Sequence, residues 1–579
     1  MQTTHTTHHS QNQKPQTTPK FHPVIQRIFD KREMGPKEIA EFLSWDLKSM
    51  PSLTSMKDVQ KASTRIIQAI ENNEKIAIYG DYDVDGTTSC ALLYHFFKMI
   101  DIEVGLIQPS RFIEGYGIHP PSIDKAHEEG YKVVITVDCG ITNNEAATRA
   151  KEIGIDLIIT DHHKDARDEM PDAFAIVNPN RRDEPKDSEL KALAGVTVGF
   201  ALAVQIREDL IAAGRKIPSL YPLLQFAAIG TICDLAKLNP TNLKIVRHGL
   251  KQIPSTEYPG IRAFFSPEER ERGFVPSEKL SFNIGPLINS KGRLDHPEKA
   301  LQLLTIEDDK KAFEYYSHLE ICNNERKFIQ AEVFNSAKEQ VLKNLNGSEH
   351  IVSIVYSPEW HEGVIGIVAS KLVETFKVPA IVFTNAEEKG VIKASARSAG
   401  DLNLFDCLNE NADLFLKFGG HKAAAGLSMP VENLSQFKEN MLSTIAKLPA
   451  IQRTVQSYYD VEIGPEEINP RLLKELELLE PFGMGNQKPI FKMKGFRLDN
   501  YDILKDVHVR WSLSSLNDPS TKLKGISFNY IGKWGIEDPQ DLYNAQERNG
   551  DELTAYFTLG VNHFRGNQYI QLMIERIEL

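Results

Sequence analysis

The chain has 579 residues, too many for one ordinary hydrophobic core, and at about 150 residues per domain it divides into three or four units. With 41% hydrophobic and 25% charged residues it has the apolar material to fill those cores, which excludes a disordered or collagen-like chain. The 67 basic and 79 acidic residues leave a formal net charge of -12, so the total charge does not announce a polyanionic partner, and a clustered set of metal-binding aspartates would account for part of the acidic excess.

Residues 1–20 carry no aliphatic periodicity and read as a polar tail. They hold no apolar run that could form the core of a secretory signal, and the longest uncharged stretch, residues 192–206, is short of the roughly 20 apolar residues of a membrane span. That stretch is expected as a buried helix, with no membrane partner and a cytoplasmic location. Five scattered cysteines, Cys90, Cys139, Cys233, Cys322 and Cys407, never form a C-x-x-C pair and are expected as reduced thiols.

From residue 74 short apolar runs alternate with helical patterns: EKIAIYG (74–80), a helix over TSCALLYHFFKM, EVGLIQ (103–108), a helix over PSIDKAHEEG, YKVVITV (131–137), a helix over NEAATRAKEIG, IDLIIT (155–160) and AFAIV (173–177). Strands separated by helices of about ten residues predict an α/β domain with a mainly parallel sheet. Residues 190–250 read as helical, with FAAIGTI before Cys233-Asp234 taken as one more apolar run of the strand-end kind. Residues 296–345 alternate apolar positions with Glu and Lys at helical spacing and predict helices bridging two domains. A second α/β unit begins at EHIVSIVYS (349–357) and runs to about 450. Beyond PFGMGNQKP (481–489) short alternating strands such as HVRWSLSSL and QYIQLMIERIEL predict a small OB-like β-barrel. The expected division is a tail (1–20), an N-terminal segment with the first α/β domain (21–295), bridging helices (296–345), a second α/β domain (346–450) and the barrel (451–579).

The chemistry concentrates in GDYDVDG, where Asp81, Asp83 and Asp85 follow directly on a strand. At positions i, i+2 and i+4 of an extended segment three carboxylates point to one side, an arrangement that is costly without cations. A calcium loop of the EF-hand type is excluded, because its twelfth position is Leu92 rather than Glu and a strand precedes it. Two further strands end in Asp138-Cys139-Gly140 and Asp161-His162-His163, and FAAIGTI ends in Asp234. In an open parallel sheet ligands bind beyond the carboxyl ends of the strands, where these groups converge. Any one such Asp is more often a helix cap, but together they point to a metal centre. Carboxylates with imidazole suit Mg²⁺ or, better, Mn²⁺, and this many carboxylates suit two ions, which activate water for attack on phosphorus. Phosphoester hydrolysis is the expected reaction class.

GDYDVDG, VDCG, TDHH and Asp234 resemble the motifs of the DHH phosphoesterase superfamily. RFIEGYG (111–117), FNIGPLINSKGRLD (282–295), WHEGVIGIVASKL (360–372), SARS (395–398), FGGHKAAAGL (418–427) and PFGMGNQKP narrow the resemblance to its RecJ family, over residues 40–579. The resemblance implies a DHH domain and a DHH-associated domain joined by long helices, with an OB-like barrel. It implies a 5′ to 3′ exonuclease acting on single-stranded DNA in recombination and repair, with a helicase and a single-strand-binding protein as partners. By position the metal ligands are Asp83, Asp85, Asp138, His162 and Asp234, with Asp81 in the same cluster and His163 on the scissile phosphate. Arg111, Asn289, Arg293, Ser395, Arg397, Gly420 and His421 are implied as contacts to the strand. Read without the family, Gly419-Gly420 lets the backbone approach a phosphate or lets helices pack, HKAAAG is helix-forming, and Arg397 is either a phosphate fork or a surface ion pair. Of Phe491, Phe496, Tyr501, Trp511, Phe528 and Tyr530, which could stack on bases, most are expected in the barrel core. Two rival readings are a DHH phosphodiesterase for oligoribonucleotides or cyclic dinucleotides and a non-catalytic RecJ-like DNA-binding scaffold. The first is disfavoured by PFGMGNQKP and the terminal barrel, the second by the intact ligand set.

Overall fold

The computed structural model of the chain describes residues 21–110, 115–164, 169–292, 298–345, 349–455, 458–531, 538–549, 553–564 and 567–578. The chain separates into two compact units: a larger one, Ala40–Tyr458 with Glu480–Lys488, and a smaller one assembled from the chain up to Ile39, Tyr459–Leu479 and the chain from Pro489 onward. The polar tail expected at residues 1–20 lies outside the described residues.

In the larger unit β1 (Lys75–Gly80), β2 (Gly105–Ile107), β3 (Tyr131–Val137), β4 (Asp156–Thr160) and β5 (Ala175–Val177) form the expected parallel sheet, in the order β2-β1-β3-β4-β5. Beyond the first residue of β1 and the first two of β3 these strands are buried throughout, since helices cover both faces of such a sheet. Residues 195–206 of the 192–206 run lie in the helix Gly195–Ala212 and are mostly buried, whereas residues 192–194 precede it. FAAIGTI is not a strand: it lies in the helix Leu224–Cys233, apolar all round because the helices Val84–Met99 and Pro240–Gln252 pack against it. A short apolar run without periodicity does not distinguish a buried helix from a buried strand. The five cysteines are free thiols.

The segment expected to bridge forms the helices Glu298–Thr305 and Asp309–Lys343. Val333, Ala337 and Val341 of the longer one pack on Val364, Val368 and Leu372 of the helix Glu362–Phe376, beside a second sheet. This sheet has the order β6-β7-β8-β10-β9, with β6 (Ser353–Tyr356) parallel to β7 (Ala380–Asn385) and β8 (Val391–Arg397), β9 (Lys417–Gly420) and β10 (Ala424–Pro430) antiparallel. HKAAAG therefore does not start a helix. It turns a hairpin from β9 into β10, and the alternating burial of Ala425, Leu427 and Met429 shows that period two overrides alanine's helix propensity there. Gly420 has φ of 150°, and a Cβ on it would lie 2.4 Å from the Ala424 carbonyl oxygen, so the turn requires glycine.

In the smaller unit β11 (Val461–Ile463), β12 (Phe491–Met493), β13 (Phe496–Leu504), β14 (His508–Ser515), β15 (Lys522–Ser527), β16 (Thr554–Phe564) and β17 (Asn567–Glu578) form an OB-like sheet in the order β11-β12-β16-β17-β15-β14-β13. Among the described residues no ladder joins β11 to β13. Phe491, Phe496, Trp511 and Tyr530 are buried in its core, the Trp511 indole N–H donating to Ser527 Oγ at 2.8 Å, whereas Phe528 is exposed. The helix Pro23–Lys31 also belongs to this unit, tied by the His22 amide to Glu475.

Glu480, in the larger unit, accepts from the Phe482 amide at 3.3 Å and lies 3.3 Å from Ser277 Oγ. Burial, with the charge of Glu278, pushes its carboxyl from 4.5 to about 7. A raised carboxyl holds its proton longer in the folded chain than in the unfolded one, so folding loses stability as pH rises from 4.5 through about 7. Glu480→Gln is therefore expected to stabilise the fold at pH 8 by on the order of 3 kcal/mol, read as a higher melting temperature, with the gain shrinking toward pH 5. Melting curves at the two pH values check this, and equal midpoints for both proteins would contradict it.

Candidate metal centre

β1 runs into Asp81, and two residues later the Asp83 side chain caps the helix Val84–Met99, accepting from the Gly86 amide at 3.1 Å. The helix starts hard against the strand end: a Cβ on Gly86 would lie 2.4 Å from the Asp81 carbonyl oxygen, hence glycine. Asp85 stands in the first helical turn, so the extended i, i+2, i+4 geometry expected for the three carboxylates holds only as far as Asp83. They converge because the chain bends into a helix. Asp85 is buried and takes the Gly195 amide at 2.6 Å and the Val196 amide at 2.9 Å, at the N-terminus of the helix Gly195–Ala212. That end, carrying free N–H groups and the positive pole of the helix, is where a carboxylate is best placed.

Asp138 follows β3 with φ of 59°, a left-handed conformation for a residue other than glycine, and is buried. Its Oδ1 lies 3.1 Å from His162 Nε2, and His162 Nε2 lies 3.8 Å from both Asp85 Oδ2 and Asp234 Oδ2. Asp234 enters from the C-terminal end of the helix Leu224–Cys233, not from a strand. The ligand atoms of Asp81, Asp83 and Asp138, of Asp85, His162 and Asp234, and of Asp138, His162 and His163 form three groups within 4.8 Å. All seven residues expected at the centre thus come together.

Asp161 behaves differently from its neighbours. Fully buried, it accepts from the Ile141 amide at 2.9 Å, the His162 amide at 2.7 Å, the His163 amide at 3.0 Å and lies 2.8 Å from His163 Nδ1. It holds the two histidines rather than joining the groups around the site. Burial opposes a charge on Asp161, but the hydrogen bond and charge of His163 win and lower its pKa. His163 answers in kind: burial disfavours its cation, yet Asp161 pushes it up to about 9. His162 goes the other way, to about 4, through burial and the neighbouring His163 charge. It therefore presents a neutral ring. Burial, reinforced by the charge of Asp83, lifts Asp85 to about 7; burial with the charges of Asp85 and Asp83 lifts Asp234 to about 8 and raises Asp138 as well.

These groups fit a hard or borderline cation. Among the described residues Asp138 Oδ1 and His162 Nε2 are buried atoms without a hydrogen-bond partner, facing each other across 3.1 Å. Two ligand atoms at right angles around an ion about 2.1 Å away stand about 3 Å apart. Five carboxylates with imidazole nitrogen match the donor preference of Mn²⁺ and Mg²⁺.

Several supporting residues were not expected at the site, Tyr116 lying within the RFIEGYG motif and the others outside any motif. Tyr116 Oη lies 2.9 Å from His163 Nδ1 and donates to the Asp138 carbonyl at 3.3 Å. Asn178 and Asn180 donate to the His163 and His162 carbonyls at 3.0 and 2.6 Å, and Gln108 donates to the Asp81 carbonyl at 3.0 Å. Gly195 packs so closely that a Cβ would lie 2.7 Å from Asp138 Oδ1.

Of the expected strand contacts, Arg111 and Arg293 lie outside the described residues. Asn289 is half-buried in the helix Gly285–Lys291. Ser395 and Arg397 are on β8, Arg397 donating to Ser395 Oγ at 3.0 Å and the Ala396 carbonyl at 2.8 Å; it makes no ion pair among the described residues. Gly420 and His421 form the exposed β9–β10 turn at the same end of that sheet, since Ala425 pairs with both Ala396 and Gly420. His361 caps the helix Glu362–Phe376, accepting from the Gly363 amide at 3.1 Å, a structural role.

A parallel sheet whose strand ends gather aspartates and a His-His pair, followed by a mixed α/β sheet, defines a phosphoesterase of the DHH class. Residues 75–231 match the DHH family, N-terminal domain; residues 348–447 match the DHHA1 domain, and residues 459–576 the RecJ OB domain. The chain belongs to the RecJ family: it is 31% identical over 570 residues to single-stranded-DNA-specific exonuclease RecJ of Dickeya dadantii, covering 96% of each chain. It is 35% identical to the Bacillus subtilis protein of the same name over 515 residues, 88% of this chain and 63% of that one. It superposes on the crystal structure of RecJ in complex with Mn²⁺ from Thermus thermophilus with a TM-score of 0.75 at 26% identity, over 96% of this chain and 78% of the other.

Proposed function

We propose that the chain is a metal-dependent exonuclease that degrades single-stranded DNA from the 5′ end to mononucleotides in DNA recombination and repair. The observation that carries this reading is the convergence of Asp81, Asp83, Asp85, Asp138 and Asp234 on His162, in a chain similar over nearly its whole length to RecJ. Asp83, Asp85, Asp138, His162 and Asp234 are the proposed ligands of two Mn²⁺ or Mg²⁺ ions, with Asp81 in the same cluster. When bound, such ions lower the pKa of a water and stabilise the charge that develops on phosphorus.

The chain's own residues do the rest. His163, kept cationic by Asp161, is suited to donate to an oxygen of the scissile phosphate. Arg397 has a guanidinium without a carboxylate partner among the described residues and a neighbouring hydroxyl in Ser395, and with Arg111, Asn289, Arg293, Gly420 and His421 it is proposed to grip the strand. We assign residues 21–295 to the N-terminal segment and catalytic domain, 296–345 to the bridge, 346–450 to the DHH-associated domain and 451–579 to the OB-like domain. A helicase and a single-strand-binding protein are proposed partners, in the cytoplasm; no described helix is long and apolar enough to cross a membrane.

The test is Mn²⁺-dependent digestion of a 5′-labelled single strand, a 3′-labelled single strand and a duplex. Early release of 5′-labelled mononucleotide from the single strand alone is expected. Equal degradation of the duplex, or cleavage confined to short RNA or cyclic dinucleotides, would overturn the reading.

A further inference from the structure

The motif PFGMGNQKP has no role in the chemistry above, yet Glu480–Lys488 groups with the larger unit while the chain on both sides of it belongs to the smaller one. This strap is internally braced. Gly483 and Asn486 exchange backbone hydrogen bonds of 3.0 and 3.1 Å, and the buried Asn486 side chain donates to the Pro481 carbonyl at 2.7 Å.

It is fastened at two places. The Met484 carbonyl accepts from the Leu238 amide at 2.7 Å, and Gly483 and Gly485 lie so close to this segment that a Cβ on either would come to 2.9 Å from Leu238 Cδ1 or Lys237 Cγ. Gly485 also has φ of 80°. At the other end the buried Ser277 Oγ donates to the Phe482 carbonyl at 2.8 Å and lies 2.9 Å from the Phe482 amide, and Lys488 pairs with Glu278 at 3.0 Å.

Both fastenings connect to the turn that carries Asp234. Lys237 and Leu238 come three and four residues after Asp234 in the chain. Ser277 and Glu278 lead into the π-helical turn Leu280–Ile284, whose Leu280 carbonyl accepts from the Cys233 thiol at 3.4 Å; Cys233 precedes Asp234 in the chain. Gly285 sits where a Cβ would be 2.9 Å from Cys233 Sγ. Asp234 needs such support more than the other carboxylates. It stands at a helix C-terminus, the negative pole, where a carboxylate is disfavoured, and the next residue, the exposed Leu235, has φ of 59°.

We propose that the 480–488 strap is a positioning element of the metal centre: Gly483, Gly485 and Ser277 set the turn that carries Asp234, and act on metal affinity through that carboxylate. The proposal rests on the assignment of Asp234 as a ligand. Groups that orient metal ligands typically change affinity 10–100-fold when altered, which sets the scale.

The experiment measures Mn²⁺ binding to the full chain directly, by titration calorimetry and by the EPR signal of free Mn²⁺, for Gly485→Ala, Ser277→Ala, Asp234→Asn and the double variant Gly485→Ala/Asp234→Asn. Gly485→Ala and Ser277→Ala are each expected to weaken binding about tenfold, and the double variant to bind no more weakly than Asp234→Asn alone. In Gly485→Ala and Ser277→Ala the single-strand affinity in EDTA is expected to stay unchanged. Should Gly485→Ala fail to fold, Ser277→Ala reads the same coupling from the other fastening. Natural Mn²⁺ affinity in both strap variants, or additive losses in the double variant, would overturn the proposal while leaving the ligand assignment standing. Natural affinity in Asp234→Asn would overturn both.

Discussion

Asp138→Asn is expected to lower the exonuclease rate by about 10³-fold, equivalent to about 4 kcal/mol of barrier, and at the same time to make the metal-free protein more stable. The two effects have one cause. Asp138 is buried among Asp81, Asp83, Asp85 and Asp234, and both burial and those charges oppose its ionisation. Without cations the folded chain confines like charges that the unfolded chain disperses, so removing one is expected to stabilise the apoprotein by about 1–3 kcal/mol. Asparagine is the informative replacement because it keeps the shape and tolerates the left-handed φ of 59°. Initial rates in Mn²⁺ and melting temperatures in EDTA measure the pair of effects. A variant that digests the strand at the natural rate, or that melts lower in EDTA, would contradict the assignment.

The strand-end aspartates were legible in the sequence for a physical reason. Parallel strands covered on both faces are uniformly apolar, so Asp81, Asp138 and Asp161 stand out as the first polar groups after EKIAIYG, YKVVITV and IDLIIT. Pattern stopped helping where burial was complete. FAAIGTI has neither period because its helix is wrapped on all sides, and HKAAAG followed its sheet neighbours rather than its propensity. The division of labour within Asp161-His162-His163 was also out of reach, since adjacency does not say which side chain turns to the site and which to the backbone. Nor did anything local mark Gln108, Asn178, Asn180 or Gly195, whose partners are chosen by packing between segments distant in the chain.

Asp161→Ala is expected to act in the opposite direction to Asp138→Asn, costing about 3–5 kcal/mol of folding stability along with activity. Asp161 is equally buried, but its carboxylate is met by donors rather than by other carboxylates: three backbone amides, of Ile141, His162 and His163, and the His163 ring. Removing it strands those N–H groups away from water and frees the end of β4 that aims both histidines. The natural chain's Asp161 is held ionised by the same contacts, its pKa lying below the ordinary value, so its contribution is present throughout neutral pH and is lost only in acid. Urea unfolding in EDTA measures the cost, and Mn²⁺ titration of the folded variant reports whether His162 is still presented. Stability unchanged in Asp161→Ala would mean that β4 holds the histidines without it. The signs of the two apoprotein effects are what separate the roles: a carboxylate placed for a cation weakens the fold until the cation arrives, whereas one placed for backbone amides strengthens it whether or not metal is bound.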